Sequence, residues 1–156
     1  MATWSTLTFQ PTPDAIAALR AHWAWQLGDD WEPLMFSVIG DVFLEQREGT
    51  IWWLSTAMGT LERVAESRDA FHQHLDTERA DEWFLPGLVD VLHDQGQVPG
   101  PGQCYAYAIL PVFAEGSFSA ENMHPADARA YFASTGDIHR KIRDLKDGDR
   151  VPLEIV

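Results

Sequence analysis

Six histidines, one cysteine and 24 carboxylates carry the proton-transfer, metal-binding and nucleophilic chemistry open to this 156-residue sequence. Their spacing decides what they can do. His72 and His74 stand two apart on a stretch with helical periodicity, where such neighbours point to different sides, so one metal ion does not easily take both. His22, His93, His124 and His139 are scattered. Asp29, Asp30, Glu32 and Asp41 gather in sequence but not at the spacing of a calcium loop, and they read as a turn and charged loop. A nucleophilic thiol needs a lowered pKa and a base, and nothing beside Cys104 supplies either. Neighbouring carboxylates such as Asp81 and Glu82 diverge on a helix, and no zinc-protease, paired-cysteine, nucleophile-elbow or phosphate-loop motif is present. The expectation is a chain without catalytic residues, metal or cofactor, and not an enzyme.

Charge carries more information than motif. The 24 acidic residues face only 11 basic ones, a net charge of −13. Residues 66–127 hold 11 acidic against 2 basic side chains, whereas residues 128–156 are close to balanced. Within that acidic middle, Asp76, Glu78, Asp81, Glu82, Asp90 and Asp94 surround a lone Arg79. Such a surface repels phosphate backbones, which argues against direct nucleic-acid binding, and it speeds encounter with a basic partner. Plain solubility is the competing reading of the same charge. The single cysteine excludes an internal disulfide, no run of about 18 apolar residues offers a membrane span, and the first residues lack the pattern of a secretory signal. A cytoplasmic protein with no membrane contact is expected.

The elements that would position these side chains are organised around Gly40 to Ala65. Val42–Gln46, Thr50–Ser55 and Leu61–Ala65 are short apolar runs separated by Glu48-Gly49 and Met58-Gly59, the pattern of a three-stranded antiparallel meander. Both faces of its central strand carry a tryptophan, Trp52 on one and Trp53 on the other, so both faces need cover. Leu34 to Ile39 adds a fourth strand, Thr3 to Phe9 an edge strand, and Gln103 to Val112 another, with Tyr105, Tyr107 and Ile109 on one side. Helices are expected from Pro13 to Leu27, capped by Thr12 and closed by Gly28, from Arg68 to Asp76, capped by Ser67, and from Pro86 to Gln95, stopped by Gly96. A long helix opens at Pro125 and runs to Leu145, with Tyr131, Thr135, Ile138, Ile142 and Leu145 in one stripe and Phe132 and His139 beside it. Gly136 on this helix suggests close approach of another element, and Arg140, Lys141, Arg143 and Lys146 complement its negative end. A final extended piece covers Arg150 to Val156. The fold expected is a single α+β domain over residues 1–156: a mainly antiparallel sheet of five or more strands, packed with about four helices.

The runs GDVFLEQREGTIWWLSTAMGTLERVAESRDAF, DEWFLPGLVDVLHDQGQVPGPGQCYAY, ENM and TGDIHRKIRDLKDGDRV carry a resemblance more specific than periodicity. From about Trp23 onward the chain resembles a bacterial family of unknown function. That family looks like the C-terminal domain of type VI secretion immunity proteins against DNase effectors, often fused to a GAD-like domain. Gly40-Asp41, Trp52-Trp53, Trp83 with Leu85-Pro86, Gly102 to Tyr105, Glu121-Asn122 and Ile138-His139 are the segments most like it. Two departures stand out. Fewer than forty residues precede the sheet, too few for a full GAD-like domain, and Ala114-Glu115 stand where the family tends to a double glycine.

The resemblance implies a protein that binds and neutralises a toxin, a basic nuclease, by stoichiometric inhibition, and it brings no catalytic residues. Its contact surface would be the acidic tract, with Asp76, Glu78, Asp81, Glu82, Asp90 and Asp94 steering the partner and Trp83 as a hot spot, unless Trp83 is core. The alternative is a small-ligand or regulatory module with a pocket between sheet and C-terminal helix, lined by Trp53, Tyr105, Tyr107 and His139.

Overall fold

The computed structural model describes residues 2–145, so Lys146 and the extended piece expected over Arg150 to Val156 lie outside the described residues. The chain is α+β. Its centre is the meander, strands β1 (Trp31–Phe36), β2 (Val42–Gln46), β3 (Ile51–Ser55) and β4 (Thr60–Ala65), each antiparallel to the next in the order β1-β2-β3-β4. Three short helices precede it: α1 (Trp4–Leu7), α2 (Pro13–His22) and α3 (Ala24–Leu27). Helices α4 (Arg68–Leu75), α5 (Arg79–Phe84) and α6 (Pro86–Asp94) follow it, then strand β5 (Gln103–Tyr107), strand β6 (Met123–Asp127) and helix α7 (Ala128–Ile142).

Both sheet faces are covered. Phe43 pairs across the ladder with Trp53, and its ring sits 4.9 Å from Phe71, 5.1 Å from Trp83 and 5.5 Å from Phe84, so α4 and α5 close that face. Phe36 pairs with Val42 and therefore points the other way, where it meets Phe132 of α7. Helix α2 packs along α7, and Trp23, just past its end, is fully buried and donates from Nε1 to the Phe132 carbonyl at 3.1 Å.

Several expectations give way to tertiary pairing. Among the described residues the strands do not form one sheet of five or more: four form the meander, and β5 pairs with β6, in register from Gln103↔Asp127 to Tyr107↔Met123. Pro125 thus lies in a strand opposite Tyr105 instead of opening a helix. A two-stranded ribbon leaves one side of β6 unpaired, and there a missing N–H costs nothing. The helix opens three residues later at Ala128, capped by the Asp127 carboxylate, which accepts from Ala130 N at 3.0 Å. The described helices are seven, not about four.

Thr3 to Phe9 is not a strand but the single turn α1, followed by an isolated bridge between Thr8 and Ser37. Thr6 Oγ1 accepts from Thr3 N at 2.8 Å, a local bond that competes with extension. The helix expected from Pro13 to Leu27 breaks at Trp23, which lets Trp25 Nε1 reach the Gly136 carbonyl at 3.1 Å. Strand β1 begins at Trp31, inside the expected turn, and carries Pro33 at an irregularity of the edge ladder. Ile109 lies beyond the end of β5 and is exposed. On α7 the buried stripe is Ala128, Tyr131, Phe132, Thr135, Gly136 and His139, while Leu145 is exposed.

Gly136 is the close approach that its position suggests. A Cβ there would lie 2.6 Å from the His22 carbonyl oxygen, a backbone atom that cannot swing aside. Gly136→Ala is therefore expected to lower stability by about 1–3 kcal/mol in urea denaturation, despite alanine's better helix propensity. The same substitution at Gly87, where nothing lies within 4 Å of the added carbon, should leave the midpoint unchanged or slightly raised. Equal midpoints for both variants would sink the close-packing argument.

Candidate functional site

The acidic tract is built by three short helices and the two joints between them. Ser67 caps α4 by accepting from Ala70 N at 3.1 Å, and α4 ends at Asp76. Leu85, the sole non-glycine with positive φ among the described residues, turns the chain in a left-handed step between α5 and α6, and Pro86 takes the first position of α6. That step brings α6 against α1. Asp76, Glu78, Asp81, Glu82 and Asp94 are exposed and Asp90 is half-buried.

Three of the six acids converge. Asp76, Asp81 and Asp90 line an open groove of about 500 Å³ whose other walls include Trp4, Leu7, Leu75, Ala80, Pro86 and Gly87. Glu78, Glu82 and Asp94 lie outside this lining. Trp4 is 45% exposed and is held at the rim by an edge-to-face contact with the buried ring of Phe84, 5.2 Å between centroids. A second cavity shares Asp81, Pro86 and Gly87 with the first and extends past Leu88 to the exposed ring of Phe118. Charge and apolar surface thus lie side by side on this face. The sequence reading missed Trp4 because its segment alternates like a strand; the Thr3 and Thr6 pair, three apart, was the signal for a helical turn.

Trp83 is not part of that surface. It is 2% exposed, nearly parallel to Phe71 at 5.7 Å, and covered on one side by the Arg79 guanidinium at 5.1 Å. Its place in the contact surface is corrected to core: α5 turns Trp83 and Phe84 together onto Phe43, because both rings are needed to close that sheet face. Arg79, the lone cation of the tract, caps this core.

Trp53, Tyr105, Tyr107 and His139, the residues of the candidate ligand pocket, each pack against other side chains or the backbone. Tyr105 is fully buried and donates its hydroxyl to the Gln97 carbonyl at 2.5 Å. Tyr107 packs against Phe118, His139 against Trp23, and Trp53 against Phe43 and Trp83. Each is committed to its own packing partners.

What the interior does hold is a polar cluster around Asp41. This carboxylate, read as part of a charged loop, is instead 4% exposed. It accepts from Thr56 N at 3.1 Å, while the Thr56 hydroxyl donates to the Gly40 carbonyl at 2.9 Å and lies 2.9 Å from the Tyr131 hydroxyl. His139 Nε2 is 2.8 Å from the Thr56 carbonyl, which makes Nε2 the donor. Gly40, at φ +89°, lies so close to the Tyr131 ring that any side chain there would strike it. None of the ion pairs among the described residues involves Asp41. Burial pushes its pKa up to about 7, and the hydrogen bonds from Thr56 and the Trp53 indole offset this only partly. Burial likewise raises Tyr131, Tyr107 and Cys104 and lowers His139. Among the described residues the Tyr107 hydroxyl is buried without a hydrogen-bond partner. This cluster ties the β1–β2 turn and the end of β3 to α7.

Cys104 is fully buried on β5, opposite Ala126, and its raised pKa makes the thiolate inaccessible at neutral pH. His22 Nδ1 lies 2.8 Å from Asp137 Oδ1 at the surface between α2 and α7. Among the described residues no group of three or more histidine, cysteine or carboxylate side chains is arranged to hold a metal ion, and no helix is long and apolar enough to cross a membrane.

No family model matches the chain, and no curated protein matches it. Among solved structures it is similar to the crystal structure of Atu4351 from Agrobacterium tumefaciens, with a TM-score of 0.59 and 19% sequence identity, over 87% of this chain and 69% of that one. At that identity the likeness is one of fold.

Proposed function

We propose that this protein is a stoichiometric inhibitor of a basic protein toxin, a nuclease, and that it acts by occupying the toxin's substrate groove with its acidic face. The observation that carries the reading is the convergence of Asp76, Asp81 and Asp90 on one groove beside exposed Trp4, in a chain of net charge −13. Anionic side chains that mimic a phosphate backbone accelerate encounter with a cationic groove, and apolar neighbours slow dissociation. The resemblance to immunity proteins points the same way. An immunity protein is encoded beside its toxin, so the partner to test is the product of the adjacent gene.

Reversing four exposed charges, Asp76, Glu78, Asp81 and Glu82 to lysine, is expected to slow association with that toxin by about 10- to 100-fold at low salt and to abolish the salt dependence of the rate. Stopped-flow mixing across a salt series measures both. Unchanged rates would place the interface on another face.

A further inference from the structure

We infer that the groove between α1 and helices α4, α5 and α6 docks a cationic, amphipathic segment of the partner, with an arginine or lysine beside Asp76 and Asp81 and an apolar residue against Trp4 and Leu75. This rests on the inhibitor reading and assigns its contact to one place on the acidic face. Charge complementarity selects the occupant. Asp76 and Asp81 stand beside walls that combine apolar Leu7, Leu75, Ala80 and Pro86 with polar Thr3 and Thr77, so neither a wholly charged nor a wholly apolar segment satisfies the site. The groove also continues into an apolar ledge. Gly87 and Val91 are one turn apart on α6, Val91 is 45% exposed, and the adjoining cavity ends at Phe118, 47% exposed. Trp4 stands at the opposite rim as an aromatic anchor whose face can also stack on a guanidinium.

Gly87 lies in the floor shared by the two cavities, and a carbon added there meets nothing within 4 Å. Gly87→Lys therefore fills the groove and opposes its charge without disturbing the core. The probe is a peptide of leucine and arginine at helical amphipathic spacing, titrated into the full chain labelled with nitrogen-15; its control carries glutamine for arginine. Amide shifts are expected to cluster on residues 2–7, 75–81 and 87–90, with the Trp4 indole moving among them. Affinity should fall about tenfold or more with Gly87→Lys and with the pair Asp76→Asn and Asp81→Asn, and the glutamine peptide should bind correspondingly weakly.

Shifts spread over remote acids such as Glu62 and Glu121, and indifferent to Gly87→Lys, would overturn the assignment. Equal binding of the glutamine peptide would overturn the cationic occupant. The same resonances broadening with protein concentration before any peptide is added would give the groove to a second copy of the chain, which also overturns it. The adjacent toxin separates the two readings. Salt-sensitive capture of the toxin that ignores Gly87→Lys rejects the groove and leaves the inhibitor, whereas peptide binding in the groove without any toxin binding keeps the groove and rejects the inhibitor.

Discussion

At pH 8 the Asp41→Asn protein is expected to be more stable than the parent, and the advantage should vanish near pH 4. The carboxyl of Asp41 is buried, accepts from Thr56 and the Trp53 indole and has no ion-pair partner among the described residues, and its burial raises its pKa from 3.8 to about 7. Between those values the folded protein holds a proton that the unfolded chain has released. The stabilising contribution is therefore complete below pH 3.8, declines as pH rises towards 7, and is lost above it. At 1.36 kcal/mol per pKa unit the loss is about 4 kcal/mol at most, less where local relaxation admits water. Asparagine keeps an oxygen for Thr56 N and carries no charge to desolvate, so its stability should not decline across that window on this account.

The remaining charged and titratable groups change the baseline but not the comparison. Cys104, Tyr107 and Tyr131 face Asp41 from β5 and α7, and each is neutral throughout this window because burial raises its pKa. His139, held neutral by burial, works in the opposite direction: its folded pKa is lowered, so stability rises with pH until about 6.5, where the unfolded imidazole also loses its proton. In the asparagine variant this rise should appear uncovered. Urea midpoints for both proteins at pH 4, 5, 6.5 and 8 measure it. Parallel curves would mean that Asp41 is hydrated or paired in solution.

Trp83→Ala should cost about 3–5 kcal/mol, a large part of the stability of a domain of ordinary size. The ring contacts Phe43, Phe71 and the Arg79 guanidinium, and its removal opens a cavity under α5 that neither rigid ring nor the sheet can refill. Trp83→Phe should cost roughly half as much, since it keeps an aromatic in the cluster. A surface hot spot behaves in the reverse way, with unchanged denaturation midpoint and weakened partner binding. Midpoints of the two variants within about 0.5 kcal/mol of the parent would return Trp83 to the surface.

Several of the segments on which the expected family resemblance rests occupy positions that shape the fold. Gly40 lies against Tyr131, Trp83 fills the core, Leu85 makes the left-handed joint, and Asn122 Nδ2 binds the carbonyls of Ile109 and Ser117 at 2.7 and 2.8 Å. Such positions report on architecture. Trp4, at the rim of the groove, lies before the region of resemblance, so the groove is a feature that this comparison does not address.

Elements governed by local energies were legible in the sequence. The meander's turns at Gly49 and Gly59, both at positive φ, the caps at Thr12 and Ser67, and the stop at Gly96 depend on residues within a few positions of one another. Their signals are short-range steric and hydrogen-bond preferences that survive whatever the rest of the chain does. The acidity of residues 66–127 was equally plain, being a matter of composition. Tertiary structure alone decided the rest. Whether Thr3 to Phe9 became a strand or a turn, and whether Pro125 opened a helix or paired with Tyr105, turned on small local preferences overruled by contacts distant in sequence. Asp41 reads like its exposed neighbours Asp29 and Asp30 until α7 covers it. Asp76, Asp81 and Asp90 are three acids among six until a left-handed residue and a one-turn helix bring them around Trp4. Which side chains meet is fixed by packing between elements, and packing is a property of the whole chain that no window of sequence contains.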